Sequence, residues 1–355
     1  MHPFEEMNAL GHEQVVFCRD DATGLRAIIA VHNTALGPSL GGCRLYNYDS
    51  EAAALRDVLR LSRGMTYKAA VAGLDLGGGK AVILGDKSIK SEALMRAFGR
   101  FVDSLGGRYI TAEDMNTNVK DMNMIRRETR WVTGVGAHNG GSGDPSPVTA
   151  WGVFNGLKAS LKVVYGSGSV EGRKVAIMGV GHVGYYLAKF LHEEGAQLVY
   201  NDINTANLDR VMSEFGGEVV QGDDYYSVEC DVLAPCAIGG IINEHTIPVL
   251  RTPIIAGAAN NVLRNEDQDG AALTERGITY APDYVINAGG LMSVYCELHE
   301  YPHDKAMNDA THIFDTVEQV LLRAKAENLT TIEASNRIAL QRIESVSRVK
   351  RIWTS

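Results

Sequence analysis

Apolar residues in the first part of the chain recur at two spacings. At 15–18 and 25–31 branched apolar side chains are packed into short runs, which predicts strands. From 51 to about 64, Leu55, Val58 and Leu59 fall at helical spacing. From 91 to 105, Leu94, Ala97, Phe98, Phe101 and Leu105 share one face of a helix that Ser91 is placed to cap. Between these helices, 81–84 predicts a short buried strand leaving the triplet Gly77-Gly78-Gly79.

The pattern breaks at 134–143, where five of ten residues are glycine, and Asp144-Pro145-Ser146-Pro147 follows. This stretch predicts a hinge. Ser146 as cap and Pro147 at the first helical position predict a helix to about 164 that links two domains. Beyond it the pattern alternates: strand 174–178, helix 183–194, strand 197–201, then strand-like runs at 231–234, 253–256, 278–280 and 284–286. Such alternation implies a parallel sheet covered by helices on both faces. After Gly290 two or three further helices are expected. The fold class is therefore α/β in two domains: an N-terminal α/β substrate domain over 1–145 and a Rossmann-like dinucleotide-binding domain over 146–330, with a cleft between them.

Composition narrows the function. The 355 residues suffice for two cores, and 45% hydrophobic with 22% charged residues is ordinary for a globular enzyme. A net charge of −9 without a basic block argues against nucleic acid. No apolar run reaches the roughly 18 residues of a membrane span, and the polar, acidic start carries no signal-peptide core, so a cytoplasmic enzyme is expected. Five scattered cysteines without a CxxC pair, and ten histidines without HExxH spacing, give neither a disulfide framework nor a metal site.

Two segments carry candidate chemistry. Gly179-Val180-Gly181-His182-Val183-Gly184 follows a strand and opens a helix, and Asp202 lies at the tip of the next strand. Gly179 makes the tight turn, Gly181 lets a pyrophosphate approach, and Gly184 packs helix on strand. The helix end, with Val180 and Val183 in its loop, supplies amide donors. Asp202 would bond ribose hydroxyls and repel a 2′-phosphate, which favours NAD over NADP. His182 is assigned no role. Upstream, Lys68 and Lys80 stand twelve residues apart, the second directly after three glycines. A bare ribbon of main chain with two cations beside it predicts a seat for an anion and a group that moves a proton. Lysine is a weak base at its ordinary pKa of about 10.4, but burial and a second nearby cation lower it.

The motifs around 64–80, with Tyr109-Ile110-Thr111-Ala112-Glu113-Asp114, Ala256-Gly257-Ala258-Ala259-Asn260-Asn261, Pro282-Asp283-Tyr284-Val285-Ile286 and Asn287-Ala288-Gly289-Gly290, resemble the leucine/phenylalanine/valine branch of the glutamate dehydrogenase superfamily. The resemblance runs along essentially the whole chain. It implies NAD-dependent, reversible oxidative deamination of an L-amino acid to a 2-oxo acid and ammonia, in a homo-oligomer, octamer or dimer. It also implies that helices from about 331 to 355 return to the first domain. In that scheme Lys80 is the general base for the water that attacks the iminium, Lys68 binds the substrate carboxylate, and Asp114 exchanges protons with the amine. Asn260 and Asn261 contact the nicotinamide ribose and substrate amine, Thr149 and Asn287 hold the nicotinamide amide, and Ala237 lies where the cofactor passes.

The same resemblance places Leu40, Gly41, Met65, Ala112, Leu291 and Val294 around the substrate side chain. Glutamate-specific relatives carry lysine where this chain has Leu40, and an apolar residue there leaves a γ-carboxylate unpaired. Ala112 matches the leucine enzymes of the family, whereas Leu291 is closer to the phenylalanine enzymes. Retaining Ala112 while enlarging position 291 shrinks the pocket, which favours a branched aliphatic substrate (leucine, isoleucine, valine). An aromatic substrate, phenylalanine or tryptophan, is the alternative. A catalytically silent NAD-binding regulator is the alternative from another class; intact Lys68, Lys80 and Asp114 argue against it.

Overall fold

Why Lys80 sits where it does follows from the sheet it belongs to. A computed structural model of the chain describes residues 3–136, 141 and 143–349; within the expected hinge, 137–140 and 142 lie outside the described residues. The chain divides into two compact units. The first comprises the described residues of Met1–Gly143, Val294–Tyr301 and Ala339–Ser355, and the second comprises Asp144–Ser293 and Pro302–Ile338.

Unit 1 begins with helix α1 (Pro3–Leu10), then strands β1 (Gln14–Asp20), β2 (Leu25–Asn33) and β3 (Ser39–Tyr46), helix α2 (Glu51–Val71) and strand β4 (Gly77–Leu84). Helix α3 (Glu92–Asp103), strand β5 (Tyr109–Glu113) and helix α4 (Val119–Ile125) follow. The five-stranded sheet runs β1-β2-β4-β3-β5. The β1–β2 and β2–β4 pairs are antiparallel, whereas β3 is parallel to both β4 and β5. Apolar residues from both faces of the strands build two cores. Ile28, Ala30 and Val82 pack under Leu55, Val58 and Leu59 of α2. Ile29, Ala81 and Ile83 pack under Leu94, Phe98, Met122 and Ile125.

Three expectations need correcting here. The helix that begins at Glu51 continues to Val71, carrying Met65 and Lys68 within it, because Gly64 alone does not break a helix whose other positions are good formers. The strand expected at 81–84 begins at Gly77, so all three glycines are paired strand residues. They are also fully packed. A Cβ on Gly78 would stand 2.1 Å from Thr66 Oγ1 and 2.4 Å from the Ser62 carbonyl oxygen; one on Gly79 would stand 2.6 Å from the Tyr109 ring. The missing side chains admit α2 and Tyr109, not a ligand.

Arg342 ties the turn between α2 and β4. Its guanidinium donates to the Leu74 and Gly73 carbonyls at 2.7 and 3.0 Å and meets Asp75 at 2.8 Å.

Unit 2 opens with helix α5 (Ser146–Tyr165) and continues through strand β6 (Lys174–Met178), helix α6 (His182–Glu193), strand β7 (Gln197–Asn201), helix α7 (Thr205–Phe215) and strand β8 (Glu218–Val219). Strands β9 (Val232–Pro235) and β10 (Ile254–Ile255), helix α8 (Glu266–Glu275), strand β11 (Thr279–Tyr280) and helix α9 (Asp283–Ile286) complete it up to residue 288. The sheet order is β11-β10-β9-β6-β7-β8, parallel throughout. This is the doubly wound arrangement, with its switch point between β6 and β9. Ser146 is not the cap expected of it: it is the first helical residue, and the Asp144 carboxylate accepts its amide at 2.9 Å. The run 284–286 is helical instead of extended, since the Pro282 carbonyl accepts the amides of Val285 and Ile286. The C-terminal region holds four helices among the described residues, not two or three: α10 (Gly289–Leu298), α11 (His303–Thr311), α12 (Ile313–Glu327) and α13 (Thr331–Val349).

Candidate active site

In unit 1, strand alternation sends Gly78, Lys80 and Val82 to the face covered by α2. Lys80 Nζ donates to Asp114 Oδ1 at 2.9 Å, with side-chain exposures of 7% and 22%, so the pair is held largely out of water. Asp114 follows β5, and its own amide donates to Thr117 Oγ1 at 2.8 Å, which fixes the turn. Its second oxygen accepts from Arg44 Nε at 2.8 Å. Burial raises the Asp114 carboxyl pKa, but Lys80 and Arg44 together outweigh burial and hold it below the usual carboxylate range. The fold brings this carboxylate onto Lys80 from thirty-four positions away. Glu113, one residue back, is exposed.

The expected pocket residues of this unit lie on the same scaffold. Leu40 is buried in β3, opposite Gly78 of β4 and Ile110 of β5, and Gly42 pairs with half-buried Ala112. Gly41 lies so close to β4 that a Cβ would fall 1.7 Å from the Gly79 carbonyl oxygen, and its own carbonyl accepts from Tyr109 OH at 2.7 Å. Met65 and Lys68 follow each other by three positions near the end of α2, both half-buried. Val294 belongs to this unit and is half-buried.

In unit 2 the glycine loop occupies the switch point. Gly179 has φ +90° and sits against Ala237, whose Cβ lies 2.5 Å from where a side chain would begin. Gly184 is pressed on the Gly179 carbonyl, 2.0 Å from a would-be Cβ, while nothing lies within 4 Å of that position at Gly181. The space at the second glycine, and a helix α6 that no side chain caps, suit a diphosphate at the helix N-terminus. Val180 donates its amide to Asp202 Oδ2 at 2.8 Å, and Asp202 Oδ1 accepts the Asn204 amide at 2.8 Å. The acidic residue thus also braces the loop. Val183 lies in the first turn of α6. Asn287 is buried and donates to the Ala258 carbonyl at 3.0 Å and to Asn260 Oδ1 at 2.7 Å, joining two of the expected asparagines. Asn261 is exposed with φ 51°. Thr149 Oγ1 donates to the Pro145 carbonyl, and Leu291 is buried in α10.

Arg44 escaped the sequence reading. It is the one charged residue in Ser39–Tyr46, and only once that run is known to be a buried strand does its cation call for an anion.

A doubly wound parallel sheet with a glycine loop and an acidic strand tip, joined in one chain to a buried lysine–carboxylate pair, defines a nicotinamide-dinucleotide oxidoreductase. Residues 12–131 match the dimerisation domain of Glu/Leu/Phe/Val dehydrogenases, and residues 140–206 and 200–351 match the Glutamate/Leucine/Phenylalanine/Valine dehydrogenase domain. The chain belongs to this family of amino-acid dehydrogenases. It is 52% identical to a leucine dehydrogenase of Geobacillus stearothermophilus, over 99% of this chain and 95% of that one. It is 47% identical to a valine dehydrogenase of Streptomyces virginiae over 97% of each. The crystal structure of L-tryptophan dehydrogenase from Nostoc punctiforme superposes with a TM-score of 0.89 at 46% identity, covering 97% of this chain and 99% of that one.

Proposed function

We propose that the protein catalyses NAD-dependent, reversible oxidative deamination of branched-chain aliphatic L-amino acids, leucine with isoleucine and valine, to 2-oxo acids and ammonia. The observation that carries the reading is Lys80 Nζ on Asp114 Oδ1 at 2.9 Å in a buried setting. Bound NAD would accept the hydride from the substrate Cα. Asp114 is the group that takes a proton from the substrate ammonium, so that the lone pair can follow the departing hydride. Lys80, once its own proton has gone to solvent, deprotonates the water that adds to the iminium, and Asp114 returns the proton it took to the departing amine. A base at hydrogen-bond distance contributes about 10²–10⁴-fold in such steps. Lys68 holds the substrate carboxylate. Thr149, Asn260, Asn261 and Asn287 orient the nicotinamide end, and Gly179 to Gly184 hold the diphosphate.

The Asp202 carboxylate at the tip of β7 supports NAD over NADP, because a 2′-phosphate beside it would meet like charge. Leu40, buried and apolar, supports an aliphatic side chain and the rejection of glutamate. The residue types at positions 65, 112 and 291, all apolar, support a branched aliphatic side chain. One methylene is worth only about 1–3 kcal/mol, so leucine, isoleucine and valine should all react. An aromatic substrate is the second reading, favoured by the 46% identity to a tryptophan dehydrogenase. Homo-oligomeric assembly, as octamer or dimer, and a cytoplasmic setting complete the proposal; among the described residues no helix is long and apolar enough to cross a membrane.

NADH formation followed by absorbance with a panel of L-amino acids tests this. Leucine, isoleucine and valine should outpace phenylalanine and tryptophan. An aromatic substrate turning over faster would overturn the aliphatic assignment.

A further inference from the structure

Arg44 reaches two carboxylates at once. Its Nε donates to Asp114 Oδ2 at 2.8 Å and its Nη1 to Asp57 Oδ2 at 3.0 Å, with side-chain exposures of 16% for the arginine and 18% for Asp57. Tyr48 OH donates to the same Asp57 oxygen at 2.6 Å. The strand that carries Arg44 is itself fastened to the Asp114 turn on either side. Thr117 Oγ1 donates to the Cys43 carbonyl at 2.8 Å, and Asn116 Nδ2 donates to the Leu45 carbonyl at 2.9 Å. The result is one chain of alternating charge across the sheet face, Lys80–Asp114–Arg44–Asp57, in which Asp114 is shared between Lys80 and Arg44, and Asp57 among Arg44, Tyr48 and Arg60.

We propose that Arg44, braced by Asp57 and Tyr48, is a positioning residue of the dehydrogenation site: it binds one oxygen of Asp114 so that the other stays on Lys80, and it keeps that carboxylate ionised and ready to accept the substrate's proton. This rests on the roles assigned to Lys80 and Asp114 above. A carboxylate with a single partner can rotate about its Cβ–Cγ bond and present either oxygen; a partner on each oxygen fixes the plane. The planar guanidinium spans Asp114 and Asp57 from two separate nitrogens, which the single ammonium of a lysine cannot reproduce.

The titratable groups around Asp114 agree. Lys80 comes from β4, Arg44 and Cys43 from β3, and Tyr109 from β5. Helix α2 adds Asp57, with Arg60 on its other oxygen. Burial pushes the Cys43 thiol and the Tyr109 phenol up, so both stay neutral and the two cations set the state of the carboxylate.

Arg44→Gln, Arg44→Lys and Asp57→Asn in the full chain test this, using the L-amino acid that reacts fastest. kcat and KM are measured separately across pH, and NADH binding is followed by fluorescence. Removing one of two cations should move the acid limb of the kcat/KM profile of Arg44→Gln upward by roughly one unit. Misplacing Asp114 should lower kcat by up to about 100-fold while NADH binding holds. Asp57→Asn should lower kcat with the acid limb unmoved or shifted down, because removing an anion leaves the guanidinium to Asp114 alone. Arg44→Lys should restore the limb but not kcat. These opposite signs are not what general loosening would give, and the last two variants suffice if Arg44→Gln does not fold. An unmoved limb in Arg44→Gln, or wild-type turnover in Asp57→Asn and Arg44→Lys, overturns the proposal. Asp114→Asn separates the levels: if it retains turnover, the underlying assignment fails. If it loses turnover while the Arg44 variants do not, the positioning role alone fails.

Discussion

Alanine at position 78 should destabilise unit 1 although it adds only a methyl group. The new Cβ would lie 2.1 Å from Thr66 Oγ1, 2.2 Å from the Thr66 amide nitrogen and 2.4 Å from the Ser62 carbonyl oxygen. Ordinary contact needs more than 3.4 Å, so α2 would have to retreat from β4 by about 1 Å. Two of those atoms are backbone, which places the cost near the upper end of the overpacking range, roughly 3 kcal/mol. Restricting the unfolded chain returns about 0.4–1 kcal/mol. The net loss is about 2 kcal/mol. Gly64 lies in the same helix, is exposed and has nothing within 4 Å of a would-be Cβ, so Gly64→Ala should stabilise by about 0.5–1 kcal/mol. Urea unfolding gives the sign of each change, and hydrogen exchange of the α2 and β4 peptides locates it. Gly78→Ala unfolding within 0.5 kcal/mol of the native chain would refute the packing account of the triple glycine. It would also reopen the idea that this ribbon faces a ligand.

Other outcomes follow from the same geometry. Lys80→Ala should lose kcat by orders of magnitude while NADH still binds with normal fluorescence; near-normal turnover would remove Lys80 as the base. Asp202→Ala should raise the NADP-to-NAD ratio of kcat/KM, and because its carboxylate also accepts the Val180 amide, affinity for NAD should fall as well. An unchanged ratio counts against the assignment. Burial is the main cause that lowers both His12 and His32 to about 4, with hydrogen bonds to Leu59 and Leu10 carbonyls working the other way. Both are neutral in the folded state, whereas unfolded histidine titrates near 6.5. Their contribution is therefore complete above pH 6.5, declines as pH falls toward 4, and levels off below it. Urea midpoints of unit 1 between pH 7 and 4 should fall, and less so for His32→Asn; parallel curves for the two proteins would contradict this.

Much of the fold could be read from the residues. Strands rich in branched side chains at 25–31 and 174–178, and the Ser91-capped helix with its apolar stripe, announce themselves through local periodicity. Strand β3 did not, because Ser39, two glycines and Arg44 dilute its apolar signal; only the neighbours β4 and β5 make it a strand. The helix over Asp283–Ile286 reads as extended from its aromatic and branched residues, and its four-residue length leaves no periodicity to say otherwise. Of the candidate site, the glycine loop and Asp202 were legible because a short segment encodes both turn and donor geometry. The environment of Lys80 was not, since its carboxylate arrives from the turn after β5 and the guanidinium behind that carboxylate from β3, both far from Lys80 in sequence.

The anchoring of the α2–β4 turn by Arg342 has a consequence for biosynthesis. The segment that joins the two candidate lysines is synthesised early, yet the side chain that fastens its Gly73 and Leu74 carbonyls emerges from the ribosome 268 residues after Leu74. Throughout translation of unit 2, that corner of unit 1 must wait without its clamp. The nascent chain therefore holds an unfinished first unit beside a completed second one, and a late stall in synthesis should leave a dinucleotide-binding module whose catalytic partner is only partly secured.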